Sequence, residues 1–280
     1  MDKYSVLMSV YDKVKEEELE LSISSMMNQT IVPEQFVIVF DGPVSDNIRR
    51  VINKFVDLYP EVFTIVEIPI NQGLAYALNV GLKQCRNELI ARMDSDDYSL
   101  PKRCEKQLNE FEKDSDLVIL GTMTQNFINV PENIQPLIKK RPTEFNEIKK
   151  ALRRNSPFAH PSVMYKKSKV LACGGYDPEL RRRQDYDLFS KMVNGEGNKA
   201  KNLSEVLLLF RTEENYFIRN KSKESCTARL IVQKRIYKRK ECTFIDYMYI
   251  KCAMVASMLL PTEIYKKVLL MIKTKSDFTR

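Results

Sequence analysis

The sequence predicts an α/β fold: a mainly parallel sheet with helices on both faces, followed by a helical C-terminal extension. Three observations predict it. Apolar runs of strand length alternate with segments whose apolar residues recur every three or four positions, the pattern of successive βαβ units. Two of these runs, 36–40 and 89–91, lead into the acidic residues Asp41 and Asp94, as at the rim of a parallel sheet where strands end and ligands bind. From residue 219 onward the composition changes. There 15 Lys/Arg stand against 5 Asp/Glu, a net +10 within a chain whose total is +8.

Taken in order, residues 4–10 form a first buried strand that runs into Tyr11 and Asp12. Leu19, Ile23, Met26 and Met27 then recur at helical spacing. Residues 36–40 are a second strand, closed by Asp41-Gly42-Pro43. Residues 46–59 are a helix with Val51, Ile52, Phe55 and Val56 inward, and 63–68 a third strand. Asn71-Gln72-Gly73 is a turn. Leu74, Leu78, Leu82 and Cys85 mark the helix after it, in which Ala75, Ala77 and Gly81 allow close packing. A fourth strand ends at Asp94, a helix covers 101–114, and 117–121 is a fifth strand. Pro131, Pro136 and Pro142 predict a loop over 123–144. A short helix near 145–154, a strand over 160–165 and a short helix over 166–172 follow. Gln184-Asp185-Tyr186-Asp187-Leu188 opens another helix, and 206–210 is a last buried strand closed by Arg211. Beyond about 222 the chain reads as helical, with Pro261 dividing two helices. The crossovers are expected to be right-handed. This gives an α/β domain over 1–218 and a basic extension over 219–280.

Composition excludes several chemistries. With 44% hydrophobic and 29% charged residues the chain suits a globular protein. His160 is the single histidine, so a multi-histidine metal centre is impossible, and so is a histidine-based triad away from residue 160. The six cysteines contain no C-x-x-C pair, which argues against structural zinc and disulfides and for a reducing compartment. Met1 is followed at once by a strand-like run, so no signal peptide is expected. Neither G-x-G-x-x-G nor G-x-x-x-x-G-K-[ST] is present; a nucleotide at this rim would need its phosphates neutralised by a metal and side chains.

The chemistry centres on Arg92-Met93-Asp94-Ser95-Asp96-Asp97. Three carboxylates in four residues repel one another, and hard oxygen ligands suit Mg²⁺ or Mn²⁺. The same residues also read as an acidic turn before a helix. Asp41 stands in Asp-Gly-Pro, itself a good turn sequence, and Asp185 and Asp187 suit a helix N-terminus as charges.

Set side by side, these pieces resemble the family 2 glycosyltransferases of the GT-A fold that build bacterial surface polysaccharides. The opening strand from Ser5 to Tyr11 is similar, as is the segment from Phe36 to Gly42. Asn71-Gln72-Gly73-Leu74-Ala75-Tyr76-Ala77-Leu78-Asn79-Val80-Gly81 resembles the family's N-x-G-x-x-x-A-x-N-x-G. Residues 92–97 resemble its D-x-D metal motif, and Gln184-Asp185-Tyr186 its acidic-Asp-aromatic motif, with Gln where Glu is common. The resemblance spans roughly residues 4–211 and implies an inverting enzyme that uses a nucleotide-sugar, a UDP-sugar above all. It implies Asp94 and Asp96 as the metal pair, with Asp96 the direct ligand of Mn²⁺ or Mg²⁺. Asp41 and Tyr11 would meet the base, with Asn71 and Asp94 also on the nucleotide side. Asp185 would be the general base, Asp187 its rival. Gln184 and His160 would lie on the acceptor side, although a lone His beside Pro also reads as structural. Arg181, Arg182 and Arg183 could meet phosphate or stay solvated, and Arg211 lies where it could approach the diphosphate.

The expected acceptor is a saccharide or lipid-linked saccharide, and the expected location is cytoplasmic, peripheral at the inner face of the plasma membrane. Interleaved apolar and basic residues after 219 suit an anionic membrane surface; packing on the catalytic domain or on a second copy of the chain are the other readings. Nucleic acid is disfavoured because no recognised binding motif accompanies the charge. Two other functions stand beside transfer: a nucleotidyltransferase, although Ser9-Val10-Tyr11-Asp12 lacks a Gly-rich loop, and a non-catalytic nucleotide-sugar-binding protein.

Overall fold

The computed structural model describes residues 3–212 and 222–259. The chain separates into two compact units, one ending at Thr212 and the other beginning at Glu213.

The first unit is wound as expected through its opening third: β1 (Tyr4–Val10), α1 (Glu16–Met27), β2 (Gln35–Asp41), α2 (Asp46–Leu58), β3 (Phe63–Ile68), α3 (Leu74–Gln84) and β4 (Leu89–Arg92). Then come β5 (Tyr98–Ser99), α4 (Arg103–Lys113), β6 (Leu117–Ile128), β7 (Val130–Lys139), α5 (Phe145–Leu152), a 3₁₀ turn (His160–Ser162), β8 (Met164–Lys166), α6 (Lys167–Ala172), α7 (Gln184–Asn194) and β9 (Lys199–Arg211). The strands form one sheet in the order β3-β2-β1-β4-β8-β6-β9-β5, with β7 paired to β6. β3, β2, β1 and β4 are mutually parallel, as are β6 and β9. Antiparallel pairing enters through β8, β5 and β7, where the chain leaves the βαβ winding.

β1 and β2 are buried along nearly their whole length, as strands covered on both faces must be. α3 lies hard against them. A Cβ on Gly81 would come within 2.5 Å of Leu7 Cδ1 and 2.6 Å of Val39 Cγ2, so no side chain fits there. One layer joins Val6, Met8, Phe36 and Ile38 to Leu19, Ile23, Met26, Ile48 and Ile52.

Three expectations are corrected. The proline-bearing segment after residue 122 is not a loop: β6 continues to Ile128 and turns at Asn129 into β7. Pro131 and Pro136 are tolerated because, among the described residues, β7 pairs only with β6, so a missing N–H costs no ladder bond on its open side. Residues 160–165 are not one strand: Pro161 closes a 3₁₀ turn and the strand is only Met164–Lys166. The last strand starts at Lys199 rather than 206; its first half is largely polar, with only Ala200 and Asn202 buried, and so lacks an apolar run.

The second unit contains α8 (Lys223–Lys238) and α9 (Phe244–Leu259). The break falls at residues 239–243, and Pro261 lies outside the described residues. α9 starts with a reciprocal cap: Asp246 N–H donates to Thr243 Oγ1 at 3.1 Å, and Thr243 N–H donates to Asp246 Oδ2 at 3.2 Å. Among the described residues no helix is long and apolar enough to cross a membrane.

Candidate active site at the sheet rim

Adjacent parallel strands deliver three predicted residues to one edge. β2 ends at Asp41, β1 leads into exposed Tyr11, and β4 leads into Asp94. The loop after β4 is held from beneath: Met93 N–H donates to Leu7 O at 3.2 Å, Ser22 Oγ to Asp94 O at 2.7 Å, and Arg103 Nη2 to Arg92 O at 2.7 Å.

On that loop, carboxylate oxygens of Asp94, Asp96 and Asp97 all lie within 4.8 Å of one another. Arg92, with only 1% of its surface exposed, forms an ion pair with Asp94. Burial, then the neighbouring Asp94 charge, pushes the Asp96 carboxyl up to about 6. Asp97 is raised well above the usual carboxylate range by burial and by Asp96. Its Oδ1 accepts Arg211 N–H at 2.8 Å; among the described residues its buried Oδ2 has no partner. Arg211 donates from Nε to Asp96 O at 2.7 Å and stacks 4.5 Å over the Phe127 ring, so its guanidinium braces the loop's backbone.

Asp94 and Asp96 therefore differ. Removing Asp94 strands the Arg92 guanidinium, and uncompensated buried charge costs about 3–5 kcal/mol. Asp94→Ala is expected to lose stability on that scale in urea unfolding, before any effect on ligands.

Asp41 is almost wholly buried and its carboxylate is occupied. Oδ1 accepts Gln72 N–H at 2.7 Å and Oδ2 accepts Gly73 N–H at 2.9 Å. Asn71 Nδ2 donates back to Asp41 O at 2.9 Å. Both residues thus build the turn ahead of α3, and Arg181 Nη1 caps it on Gln72 O at 3.2 Å.

On the other side, α7 begins with Gln184 and Asp185 immediately after Arg183, whose φ is 63°. Asp185 is half-buried, and burial raises its carboxyl against the opposing pull of Arg183 and of backbone amides. Gln184 is buried, with no partner for Oε1 among the described residues. Asp187 is buried too, but paired at 3.3 Å with Lys191 one turn on. His160 Nε2 meets Tyr176 Oη at 2.9 Å, and its ring sits edge-on to Phe189. Burial, and then the Arg92 charge, hold His160 well below its usual range, so the imidazole is neutral.

Two residues join these halves without having been predicted to do so. Arg92 acts electrostatically on Asp94, Asp96, Asp97, His160 and Asp185. Tyr176 feels both Asp94 and Asp185, and Asn79 clips its backbone at 2.6 Å and 2.9 Å. A sequence signal for Arg92 existed: a full charge inside an apolar run.

The model of the family described as Glycosyl transferase family 2 matches residues 5–174. The chain belongs to glycosyl transferase family 2. Its relatives include the amylovoran biosynthesis glycosyltransferase AmsE of Erwinia amylovora, 36% identical over 74% of this chain and 76% of that protein. An Escherichia coli UDP-Gal:alpha-D-GlcNAc-diphosphoundecaprenol beta-1,3-galactosyltransferase is 31% identical over 95% of this chain and 96% of that protein. Among solved structures, the mannosyltransferase PcManGT of Pyrobaculum calidifontis, in complex with GDP-Man and Mn²⁺, superposes with a TM-score of 0.63 at 15% identity. That match covers 92% of this chain and 70% of the other, and it shows a shared glycosyltransferase fold. The family 2 match stops at residue 174, short of α7 and Asp185.

Proposed function

We propose that this family 2 glycosyltransferase transfers a sugar from a UDP-sugar, with inversion, to a lipid-linked saccharide, and that it depends on a divalent cation. The observation that carries this reading is the Asp94–Asp96–Asp97 cluster at the rim, with the half-buried Asp185 in the electrostatic reach of the same Arg92. The fit to Mn²⁺ or Mg²⁺ is tested by the cluster itself: three hard oxygen donors within 4.8 Å, an Asp97 Oδ2 that is buried and unpartnered among the described residues, and burial and mutual repulsion that raise the Asp96 and Asp97 carboxyls, a cost that a cation would relieve. Asp96 and Asp94 would hold the ion, which supplies positive charge against the departing diphosphate.

The other roles fall to the chain. Asp185 takes the proton of the acceptor hydroxyl as that oxygen attacks the anomeric carbon, and its raised affinity for a proton suits it to the task. Gln184, as an amide, orients that hydroxyl without competing for the proton. His160, neutral and bonded to Tyr176, shapes the acceptor side. Asp41 and Asn71 fix the turn beside which Tyr11 flanks the base. The donor and acceptor classes are supported by the E. coli relative, whose name specifies UDP-Gal and a diphosphoundecaprenol-linked sugar. With an acceptor of that kind the enzyme would work at the inner face of the plasma membrane.

Thermal unfolding with UDP tests the nucleotide and metal claims together. A ligand that binds only the native state at about 100 times its Kd adds about 2.7 kcal/mol. UDP with Mn²⁺ should raise Tm clearly, and UDP with EDTA much less; an equal rise in EDTA removes the proposed metal role.

A further inference from the structure

We infer that α9 is a membrane-docking helix, whose outward apolar face seats in the interface of an anionic bilayer.

At 100° per residue, Phe244, Ile245, Met248, Tyr249, Cys252, Val255, Ala256 and Leu259 fall within an arc of about 140°. Phe244 is 58% exposed, Ile245 73%, Tyr249 55% and Leu259 78%. The buried side, by contrast, carries Asp246, Ile250 and Ser257. A helix of a water-soluble unit turns its apolar stripe inward; this one turns it outward.

Charge decides what covers the stripe. Exposed Lys251 lies at its margin. At its N-terminal end, Tyr237 of α8 stacks on Tyr247 at 5.1 Å and lies 6.1 Å from Phe244. Exposed Lys234, Lys238 and Lys240 lie within three residues of Tyr237 in the chain, while the acidic Asp246 is turned inward on its cap and Glu241 is paired with Arg239. A second copy docked on this face would bring these lysines against their own kind. Anionic headgroups instead complement them, each lysine adding to binding within a Debye length of the surface. Aromatic and aliphatic side chains beside lysines are what an interfacial helix requires.

The chain contains no tryptophan, so one introduced residue reports alone. Full-length Ile245→Trp is mixed with vesicles of phosphatidylcholine and phosphatidylglycerol in equal parts. The fluorescence should shift to the blue and be quenched by brominated lipid, less so at high salt and with phosphatidylcholine alone. Leu58→Trp, at an exposed site on α2, should show neither change. Ile245→Glu and Leu259→Glu should each cut vesicle partitioning about tenfold, the scale of one large aliphatic side chain moved back to water. Both should keep the UDP-dependent rise in Tm, which separates failure here from failure at the active site. No blue shift with anionic vesicles overturns the inference. So does a blue shift without vesicles accompanied by dimer in sedimentation, which gives the face to a second copy.

Discussion

Asp185→Asn is expected to reduce sugar transfer by about 10²–10⁴-fold or more, the usual cost of a lost general base, while the UDP- and Mn²⁺-dependent rise in Tm stays near wild type. The carboxamide keeps the shape of the side chain at the start of α7 and cannot take the proton. Asp187→Asn is the informative companion. Asp187 is buried and tied to Lys191, so its amide should lower the melting temperature more than it lowers kcat. Transfer kinetics and unfolding measured on both variants separate the roles. An active Asp185→Asn beside a stable but inactive Asp187→Asn would move the base by two positions.

Asp96→Asn should change stability and activity in opposite directions. Asp96 titrates near 6 in the folded chain, against an ordinary value of 3.8. The native state therefore binds more protons than the unfolded state between those values, and metal-free stability falls as pH rises through that window. Above it the full cost of the charged form is present. At pH 7.5 without divalent cation, Asp96→Asn should melt higher than wild type. With Mn²⁺ the order should reverse, because only wild type has the carboxylate to gain from the ion. The wild-type Mn²⁺ increment should shrink as pH drops from 7.5 toward 5, and the variant should show little increment anywhere. A scan of Tm against pH, with Mn²⁺ and with EDTA, measures this. Transfer by the variant should be nearly lost.

The parallel half of the sheet was readable because its strands are buried on both faces and so spell uninterrupted apolar runs, as in β1 and β2. The acidic loop was readable for the opposite reason, since carboxylates ending such a run have no packing rationale. The hairpin β6–β7 was not, because two prolines in an edge strand look like loop punctuation when the pairing is unseen. The positions of the candidate residues were readable; their partners were not. Asp41 was expected to face a base, yet its two oxygens receive backbone amides of a turn thirty residues on. Arg92 and Tyr176 act electrostatically on groups of the acidic loop and the start of α7, which lie far apart in the chain and carry no common spacing.

Inverting, metal-dependent transfer is read most directly from the stereochemistry of the product. The full chain is incubated with each of a panel of UDP-sugars, Mn²⁺ and a short lipid-diphosphate saccharide, while UDP release is followed and the new anomeric centre is read by NMR. UDP release should be coupled to a glycosidic bond of configuration opposite to the donor's, and both should be lost in EDTA and in Asp185→Asn. A product that retains the donor's configuration would rule out inversion, and transfer that proceeds undiminished in EDTA would rule out the metal's role.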